Sequence, residues 1–405
     1  MLMGGAPTAL CRIGGRPGVL TTLTDAPVDH RKVVRAQEIA VRCRIPILYY
    51  LPHGMPANTP VRILETAAIL KRVLEVPQFV LTREGSIAEA GVLGGLASEV
   101  IGTGPEGSCE VRTRVSRLAP RTPSVLRDPC SVLPLMEPKL LYGILPNDHR
   151  MPYDMRRLLS AFLDGDGMQE FQPHVAEEMI CATARIGGHD VGVMANARGM
   201  FRERKTGQPR IGGIIYAETA EKCAYFIETM NQLGIPILFV QDVSGFMLGV
   251  DAERSGIIRS GAKFVEAMAV ARVPKLVLTI NHASGAGYYA MAAQGFEPDF
   301  LLTWPTGRMG AMEGESAVNA LFAPQLEELR RAGKKPDAAL EKRIASVRAD
   351  YERWLDARTA AASGYVDAIV LPEDRRAALI LALDAVRENR GSHLLPCRRP
   401  LEFAI

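Results

Sequence analysis

Short apolar runs alternate with stretches of helical period along the first hundred residues. The apolar run over 47–51 has the length of a strand that is buried on both faces. Asp29 precedes apolar residues that recur every three or four positions, which predicts a helix over 29–44. The other elements predicted here are short β segments around a Gly-Gly turn over 12–24, a helix over 60–75 and a strand over 78–82. This alternation favours βα crossovers and a largely parallel sheet.

The same alternation returns after residue 153. The predicted strands cover 237–243, 276–280 and 300–304, after a strand pair over 180–194. The predicted helices cover 154–163, 218–233, 256–272 and 373–389, and another helix starts at 287. Residues 323–358 are charged but keep a helical period, which indicates a helical pair that faces solvent or a partner.

Three short sequences of the first half return in the same order in the second half. Residues 12–15 match 185–188, residues 45–48 match 235–238, and residues 76–82 match 273–279. Three ordered matches predict a duplicated α/β unit. After the last match the copies differ, because only the second continues into the glycine-rich sequence Ser284-Gly285-Ala286-Gly287.

The stretch from 103 to 152 interrupts both patterns with eight prolines and frequent arginines. Because prolines at this density break a helical period, we expect an extended connector. Its leucine and valine content favours packing along the surface over a disordered linker. The chain is therefore predicted to consist of a diverged, truncated N-terminal domain over 1–104, the connector over 105–152 and a C-terminal domain over 153–405.

Composition excludes several classes of function. The 405 residues are 47% hydrophobic and 23% charged, and the formal charge of +3 is too small and too evenly spread to favour nucleic acid or membrane binding. No apolar run predicts a membrane span, and the N-terminus lacks a signal-peptide pattern. The seven cysteines contain no C-x-x-C pair, which favours free thiols in a reducing cytoplasm. The sequence contains no P-loop, so ATP chemistry is not expected.

Two glycine-rich loops follow neighbouring predicted strands. The sequence 284–287 lies between a strand and a helix, where small residues let the backbone approach a ligand and the first helical amides have no partner. Such amides stabilise negative charge on an oxygen, although the glycines would equally serve tight strand–helix packing. Residues 242–249 and the helix start at Gly256 follow the preceding strand. Since ligands gather at the carboxyl ends of such strands, both loops are expected to share one cleft.

Residues 235–321 resemble the carboxyltransferase subunits of biotin-dependent acyl-CoA carboxylases and decarboxylases, of the propionyl-CoA and methylcrotonyl-CoA carboxylase β and glutaconyl-CoA decarboxylase α types. The likeness is carried by the stretches 242–249, 255–263, 273–275, 285–291 and 304–306. It extends to 142–146, 151–154, 184–196, 210–216 and 365–369, and is faint over 11–101. The resemblance implies an α/β protein with two tandem crotonase-like (ClpP/crotonase) domains from an internal duplication.

The resemblance also implies the chemistry. In the family the first domain binds acyl-CoA and the second binds biotin, each with its own oxyanion hole. By this likeness the amides of Ala286 and Gly287, next to Gly285, bind the ureido oxygen of biotin while CO2 moves to or from the acyl-CoA. The residues expected around the substrates are Gly245, Phe246, Gly249, Gly256, Ile257, Arg259 and Tyr288.

The first half departs from the family pattern at its own oxyanion hole. The repeat alignment places Ala88 and Glu89 where the family has Gly-Gly. It places His53 in a loop that corresponds to a small turn of the Ser-Gly-Gly type in the family. A carboxylate disfavours an anion beside it, so Glu89 does not suit an oxyanion hole. Glu89 and His53 are instead candidates for acid–base groups that act on a thioester. The alternative is that Glu89 faces solvent and His53 hydrogen-bonds a turn.

Other polar residues are interpreted as structural. His282 is expected to be a buried imidazole with satisfied hydrogen bonds, and Asp242 is expected to hold its glycine loop. Lys205 and Arg210 are expected on a solvated loop, with contact to CoA phosphates as the alternative. No set of metal ligands stands out, and no metal is expected.

The sequence leaves three functions open. The first is acyl-CoA carboxyltransfer with biotin on a separate carrier protein, because the chain has no Met-Lys-Met attachment site and would need carrier and biotin carboxylase partners. The second, motivated by Glu89, is a biotin-independent decarboxylase, hydratase or C–C bond-forming enzyme of specialised metabolism, acting on a CoA- or carrier-bound acyl thioester. The third is a non-catalytic subunit. The resemblance implies a homo-oligomer, a dimer or dimer-based hexamer, with each cleft shared between subunits.

Overall fold

A computed structural model of the chain describes residues 8–386 except 73, 75, 104, 118–132, 147, 149–150, 166, 204–205, 313 and 334. These residues form two α/β units joined by a 3-10 helix, Pro138–Gly143. The first unit contains β1 (Thr8–Ile13), β2 (Arg16–Thr22), α1 (Pro27–Cys43), β3 (Ile47–Leu51), α2 (Val61–Arg72), β4 (Gln78–Thr82), α3 (Ile87–Leu96), β5 (Glu99–Gly102) and α4 (Pro105–Arg117).

The second unit is larger. Its strands are β6 (Gln169–Glu170), β7 (Met179–Ile186), β8 (His189–Asn196), β9 (Met200–Arg202), β10 (Pro209–Ile211), β11 (Ile214–Ile215), β12 (Ile237–Val243), β13 (Gly245–Phe246), β14 (Lys275–Ser284), β15 (Phe300–Thr303), β16 (Arg308–Gly310) and β17 (Ala368–Ile369). Its helices are α5 (Met155–Leu159), α6 (Ala217–Leu233), α7 (Val250–Arg254), α8 (Ile257–Val270), α9 (Gly285–Ala290), α10 (Gly314–Arg331), α11 (Ala338–Leu355), α12 (Ala357–Ala362) and α13 (Arg375–Val386). Within the described residues, no helix is both long and apolar enough to cross a membrane.

The two main sheets have the same strand order. In the first sheet β1 pairs antiparallel with β2, and β3, β4 and β5 follow in parallel. In the second sheet β7 pairs antiparallel with β8, and β12, β14 and β15 follow in parallel, with β6 and β17 at the edges. A short strand, β16, pairs with the end of β14. The predicted alternation of strands and helices around largely parallel sheets is confirmed.

Equivalent prolines precede equivalent strands in the two units. The carbonyl oxygen of Pro46, before β3, accepts a hydrogen bond from Val19 N at 2.9 Å. The carbonyl oxygen of Pro236, before β12, accepts one from Gly192 N at 2.9 Å. Because proline has no N–H to donate, it fits the start of a strand, where its carbonyl alone joins the ladder. The Ile-Pro repeat of the sequence therefore marks the same position in both sheets.

The Gly-Gly repeats close the two antiparallel hairpins. Gly14 and Gly15 have φ values of 57° and 85°, and Gly187 and Gly188 have 59° and 79°. Positive φ at both central residues suits the right-handed twist of a two-residue hairpin, which is why glycine occupies all four positions. In the second unit the Asp164 carboxylate also accepts hydrogen bonds from both turn amides, each at 2.8 Å.

The predicted connector is partly helical, so the expectation of an extended segment is wrong for its first part. α4 places Val111 and Val115 against the apolar face of the first sheet. Prolines do not interrupt this helix, because Pro105 occupies its first position and the next proline follows its end. Residues 118–132 lie outside the described part of the chain.

β14 is longer than its predicted strand. It continues to Ser284 rather than ending at 280, and all ten of its residues are buried. The polar residues Asn281 and His282 concealed this continuation, because a strand buried on both faces is expected to be apolar. α9 consequently begins at Gly285, two residues before the predicted helix start. The predicted end of the last helix, 387–389, lies outside the described residues.

Arginines of α1 join the first unit to the second. Arg35 donates two hydrogen bonds to the carboxylate of Asp367, at 2.7 and 2.9 Å. Arg42 donates to the carbonyl oxygens of Glu297 and Pro298, at 2.9 and 3.0 Å. Together with an apolar core that continues from one sheet to the other, these contacts pack the two units against each other.

A buried carboxylate, Asp384 of α13, also lies between the units. It accepts hydrogen bonds from His189 Nε2 at 3.0 Å and from the guanidinium of Arg12. Burial opposes the ionised form, but these two partners outweigh it and lower the pKa of Asp384 to about 2. The three residues come from β1, β8 and α13, so the ion cluster ties together elements far apart in the sequence.

We predict that Asp384→Asn lowers the free energy of unfolding by about 2 kcal/mol at pH 7. The carboxyl pKa is about 2 in the folded chain and about 4 in the unfolded chain. The stabilisation is therefore complete above the unfolded pKa and is lost as the pH falls through the folded pKa. Urea unfolding at pH 7 and near pH 3 measures it, and the difference between variant and wild type should shrink at the lower pH.

The control for this prediction is Asp350→Asn, which removes an exposed ion pair with Arg353. Exposed pairs contribute less than about 1 kcal/mol, so little change is expected at either pH. A destabilisation by Asp384→Asn that stays constant between the two pH values would contradict the role given to the Asp384 carboxylate.

Candidate active site

The two predicted glycine loops are in contact at the carboxyl ends of the parallel strands of the second sheet. Val243, at the end of β12, pairs with Ala283, near the end of the parallel strand β14. A Cβ placed on Gly287 would lie 2.7 Å from Val243 Cγ2 and 2.8 Å from the Cα of Gly245. The loop after β12 therefore packs so closely against α9 that residue 287 has room for hydrogen alone.

The first turn of α9 lies at these strand ends. Gly285, with a φ of 58°, begins the helix, and Ser284 precedes it as the N-cap. The first amides of a helix have no acceptor within it, and here they include those of Ala286, which is exposed, and Gly287, which is buried. Ser284 does not cap them, and its hydroxyl lies 2.5 Å from Nε2 of His282. His282 is buried, as expected, with this contact.

Four of the residues predicted around the substrates surround α9 or the helices beside it. Gly245 and Phe246 form β13, which pairs with β11 and packs against α9. Gly249 and Gly256 precede α7 and α8 with φ values of 113° and 89°. Because residues with side chains rarely adopt such angles, both loops require glycine there.

The remaining three predicted residues differ in exposure. Ile257 is buried at the start of α8 and belongs to the apolar core, whereas Arg259 is exposed on the same helix. Tyr288 of α9 is partly buried, and burial raises the pKa of its hydroxyl. Arg259 and Tyr288 are thus the two of this group with side chains at the surface.

A buried polar cluster supports the glycine loop from inside the protein. The fully buried carboxylate of Asp242 accepts a hydrogen bond from the Tyr153 hydroxyl at 2.7 Å and lies 3.5 Å from Nε of Arg198. The amide of Asp242 donates to Oδ1 of Asn196 at 3.1 Å. Burial raises the pKa of the Asp242 carboxyl, and its neighbours, Arg198 foremost, offset part of the rise. These contacts agree with the interpretation that Asp242 holds its loop.

Sequence reasoning assigned no role to Tyr153, Asn196 or Arg198. A signal was present, because Tyr153 and Asn196 lie in stretches that carry the family resemblance. Its meaning depended on the fold, since these two residues are 89 and 46 positions from Asp242 in the chain. Only the folded second unit brings them to Asp242, with Tyr153 at its carboxylate and Asn196 at its main-chain amide.

The equivalent helix end of the first unit is capped. Ser86, the N-cap of α3, accepts a hydrogen bond from Glu89 N at 3.2 Å. The Glu89 carboxylate accepts one from Glu84 N at 2.9 Å, and this bond is the main cause that lowers the pKa of Glu89. The carbonyl oxygen of Glu89 accepts one from Met55 N at 2.8 Å, which ties the loop of His53 to α3.

The structure thus brings His53, Ala88 and Glu89 to one loop cluster, with His53 and Ala88 exposed. The Glu89 carboxylate, however, already serves the main chain as an acceptor. A lowered pKa favours its ionised form, so these contacts do not favour Glu89 as a proton donor near neutral pH.

Two cavities lie away from the glycine loops. One, of about 790 Å3, contains Arg210, for which the expectation of a solvated loop is wrong. Its guanidinium is 10% exposed and lies 3.3 Å from the carboxylate of Glu178 and 3.1 Å from that of Glu218, which explains its burial. Lys205 lies outside the described residues. The other cavity, of about 280 Å3, lies between α1 and the segment 294–301.

Comparison with known proteins assigns most of the chain to one family. Residues 86–399 match the carboxyl transferase domain. The biotin-dependent 3-methylcrotonyl-coenzyme A carboxylase beta1 subunit of Mycobacterium tuberculosis is 31% identical in an alignment that covers 94% of this chain and 81% of that protein. The methylmalonyl-CoA decarboxylase subunit alpha of Propionigenium modestum is 30% identical over 64% of this chain and 46% of its own. In seven further curated relatives, the one from Propionigenium modestum among them, the matched segment covers 40–49% of the relative's length.

Solved structures share the fold. The beta subunit of geranyl-CoA carboxylase from P. aeruginosa superposes with a TM-score of 0.77 at 25% identity, over 96% of this chain and 82% of that one. Transcarboxylase 12S superposes with a TM-score of 0.54 at 22% identity, over 95% of this chain and 82% of its own. The sequence match and the shared mixed α/β fold agree with the resemblance found in the glycine loops, and the chain therefore belongs to the carboxyl transferase domain family.

Proposed function

We propose that this chain moves a carboxyl group between an acyl-CoA thioester and biotin borne on a separate carrier protein, in the carboxylating or decarboxylating direction. One observation carries the proposal. In a member of the carboxyl transferase family, Ala286 and Gly287 lie in the first turn of a helix, at the carboxyl ends of the strands where both glycine loops meet. Relatives named for biotin-dependent carboxylation and for decarboxylation support both directions.

The start of α9 fits the ureido oxygen of biotin. Ala286 is exposed, and the N-cap hydroxyl of Ser284 leaves the first amides uncapped. Main-chain N–H donors at the positive end of a helix favour negative charge on an oxygen. When bound, biotin supplies the ring nitrogen that carries the carboxyl group.

The contribution of the chain is to hold these donors in place. The contact of Gly287 with the loop after β12 fixes the helix end, and the hydrogen bonds around Asp242 fix that loop from below. Donors that are already placed need no reorganisation as charge develops, and each is worth about 3–4 kcal/mol of transition-state stabilisation. Arg259, exposed on α8, is proposed to contact the substrate.

The loop after β12 also supports the proposal of a homo-oligomer, a dimer or a dimer-based hexamer. Met247, Leu248, Val250 and Ile258 are exposed around it, with Leu248 at 84% and Ile258 at 73%. Clustered exposed apolar side chains mark interaction surfaces. The biotin carrier and biotin carboxylase activities are proposed to reside on partner subunits.

We further infer that the two units are crotonase-like domains that arose by internal duplication. The ordered sequence repeats, the common strand order and the equivalent proline contacts support this inference. The proposed domains are 1–104 and 153–405, and the packing of α4 on the first sheet favours moving the end of the first domain to 117.

The first test of the function is biotin dependence. The purified chain, with free biotin and a panel of carboxylated acyl-CoA thioesters, is expected to release CO2 from at least one thioester only when biotin is present. Liquid chromatography of the CoA products measures the reaction. No turnover with any thioester would contradict the proposal. Turnover without biotin that Glu89→Ala abolishes would favour the biotin-independent acid–base enzyme instead.

We predict that Gly287→Ala lowers the biotin-dependent rate about a hundredfold, because its methyl group must displace Val243 and Gly245 and thereby move the amides. Gly95→Ala, in α3, is the matched control, since the same methyl group meets no atom within 4 Å there. Steady-state rates of both variants at equal biotin concentration provide the comparison. Equal rates for Gly287→Ala and wild type would remove the α9 amides from the mechanism.

A further inference from the structure

Ser284 occupies the position from which a serine ordinarily caps the two amides that the proposed function uses. An N-cap hydroxyl accepts a hydrogen bond from the amide two or three residues later, which here belongs to Ala286 or Gly287. Ser284 makes no such bond. Its Oγ lies 2.5 Å from Nε2 of His282 instead, on the same strand.

The first unit shows what the same serine does without a histidine. Ser86 precedes α3 as Ser284 precedes α9, and its hydroxyl accepts the amide of Glu89, the third residue of the helix. The residue two positions before Ser86 is Glu84, where the second unit has His282. In one protein, therefore, the serine that contacts an imidazole leaves its helix uncapped, and the serine that lacks this contact caps.

We propose that His282 is a positioning residue that keeps the Ser284 hydroxyl away from the amides of Ala286 and Gly287. The inference rests on the proposed function, because the amides matter for catalysis only if they bind the substrate oxygen. In this role His282 touches neither biotin nor acyl-CoA. A capped amide would first have to exchange the serine oxygen for that of the substrate, which weakens transition-state binding.

The surroundings hold His282 in this place. Its side chain belongs to a strand that is buried throughout, and β16 pairs beside it at Arg308. The buried carboxylate of Asp242 lies close enough for the charge of His282 to lower the pKa of that carboxyl. The imidazole is therefore held by the packing of its buried strand, and the Ser284 hydroxyl lies against it.

The test compares His282→Ala with the double variant His282→Ala/Ser284→Ala. In the single variant the released serine is expected to cap α9 and to lower the biotin-dependent kcat/KM about tenfold. In the double variant no hydroxyl is left to cap, so most of this loss should be recovered. If His282 only filled space, the second substitution would leave the loss unchanged or deepen it, and that result would overturn the proposal.

Hydrogen–deuterium exchange of the peptide covering 285–290 tests the same placement without catalysis. Exchange is expected to be slower in His282→Ala than in wild type, and to return to the wild-type rate in the double variant. Equal exchange in all three proteins would overturn the proposal. The expected pattern in a protein without any transfer activity would reject the proposed function while retaining the positioning role of His282.

A conservative variant guards against a folding defect. His282→Gln retains a polar group that reaches toward the Ser284 hydroxyl, so its kcat/KM and its exchange rate should both stay closer to wild type than those of His282→Ala. Thermal unfolding of each variant reports whether it is folded. A folded His282→Gln variant that behaves as His282→Ala would count against a hydrogen bond as the cause.

Discussion

The close approach of α9 to the loop after β12 is the constraint on which the candidate site depends. Residue 287 has no space for a side chain because Val243 and Gly245 occupy it. This contact packs the two glycine loops against each other at the point where α9 begins. Parallel pairing of β12 with β14 makes the contact possible, since the carboxyl ends of both strands lie on the same side of the sheet.

The two units show how side chains adapt one backbone arrangement to different ends. Both have a strand, a serine and a helix in the same order. In the first unit Ser86 and Glu89 satisfy the main chain around the helix start, whereas in the second the serine contacts His282. The availability of an amide is thus decided by the hydrogen-bond acceptors beside the helix, while its position follows from the sheet.

Several features could be predicted because their causes are local. Proline and glycine restrict the backbone at single positions, so the strand starts at Pro46 and Pro236 and the hairpin turns at Gly14 and Gly187 follow from the sequence. The helix over 105–117 was missed because the density of prolines was considered without their positions. The length of β14 was missed because its polar residues have buried partners that no local pattern shows.

The sequence by itself determined the alternation of elements, the repeat, the paired glycine loops and the family resemblance, since each is written in residues close together in the chain. Only the tertiary structure decided that Tyr153, Asn196 and Arg198 meet at Asp242, that Arg210 is paired with carboxylates, and that Ser284 turns to His282 and away from its helix. The physical reason is that a buried polar group takes whichever partner the fold brings within hydrogen-bonding distance, and that partner can come from any part of the sequence.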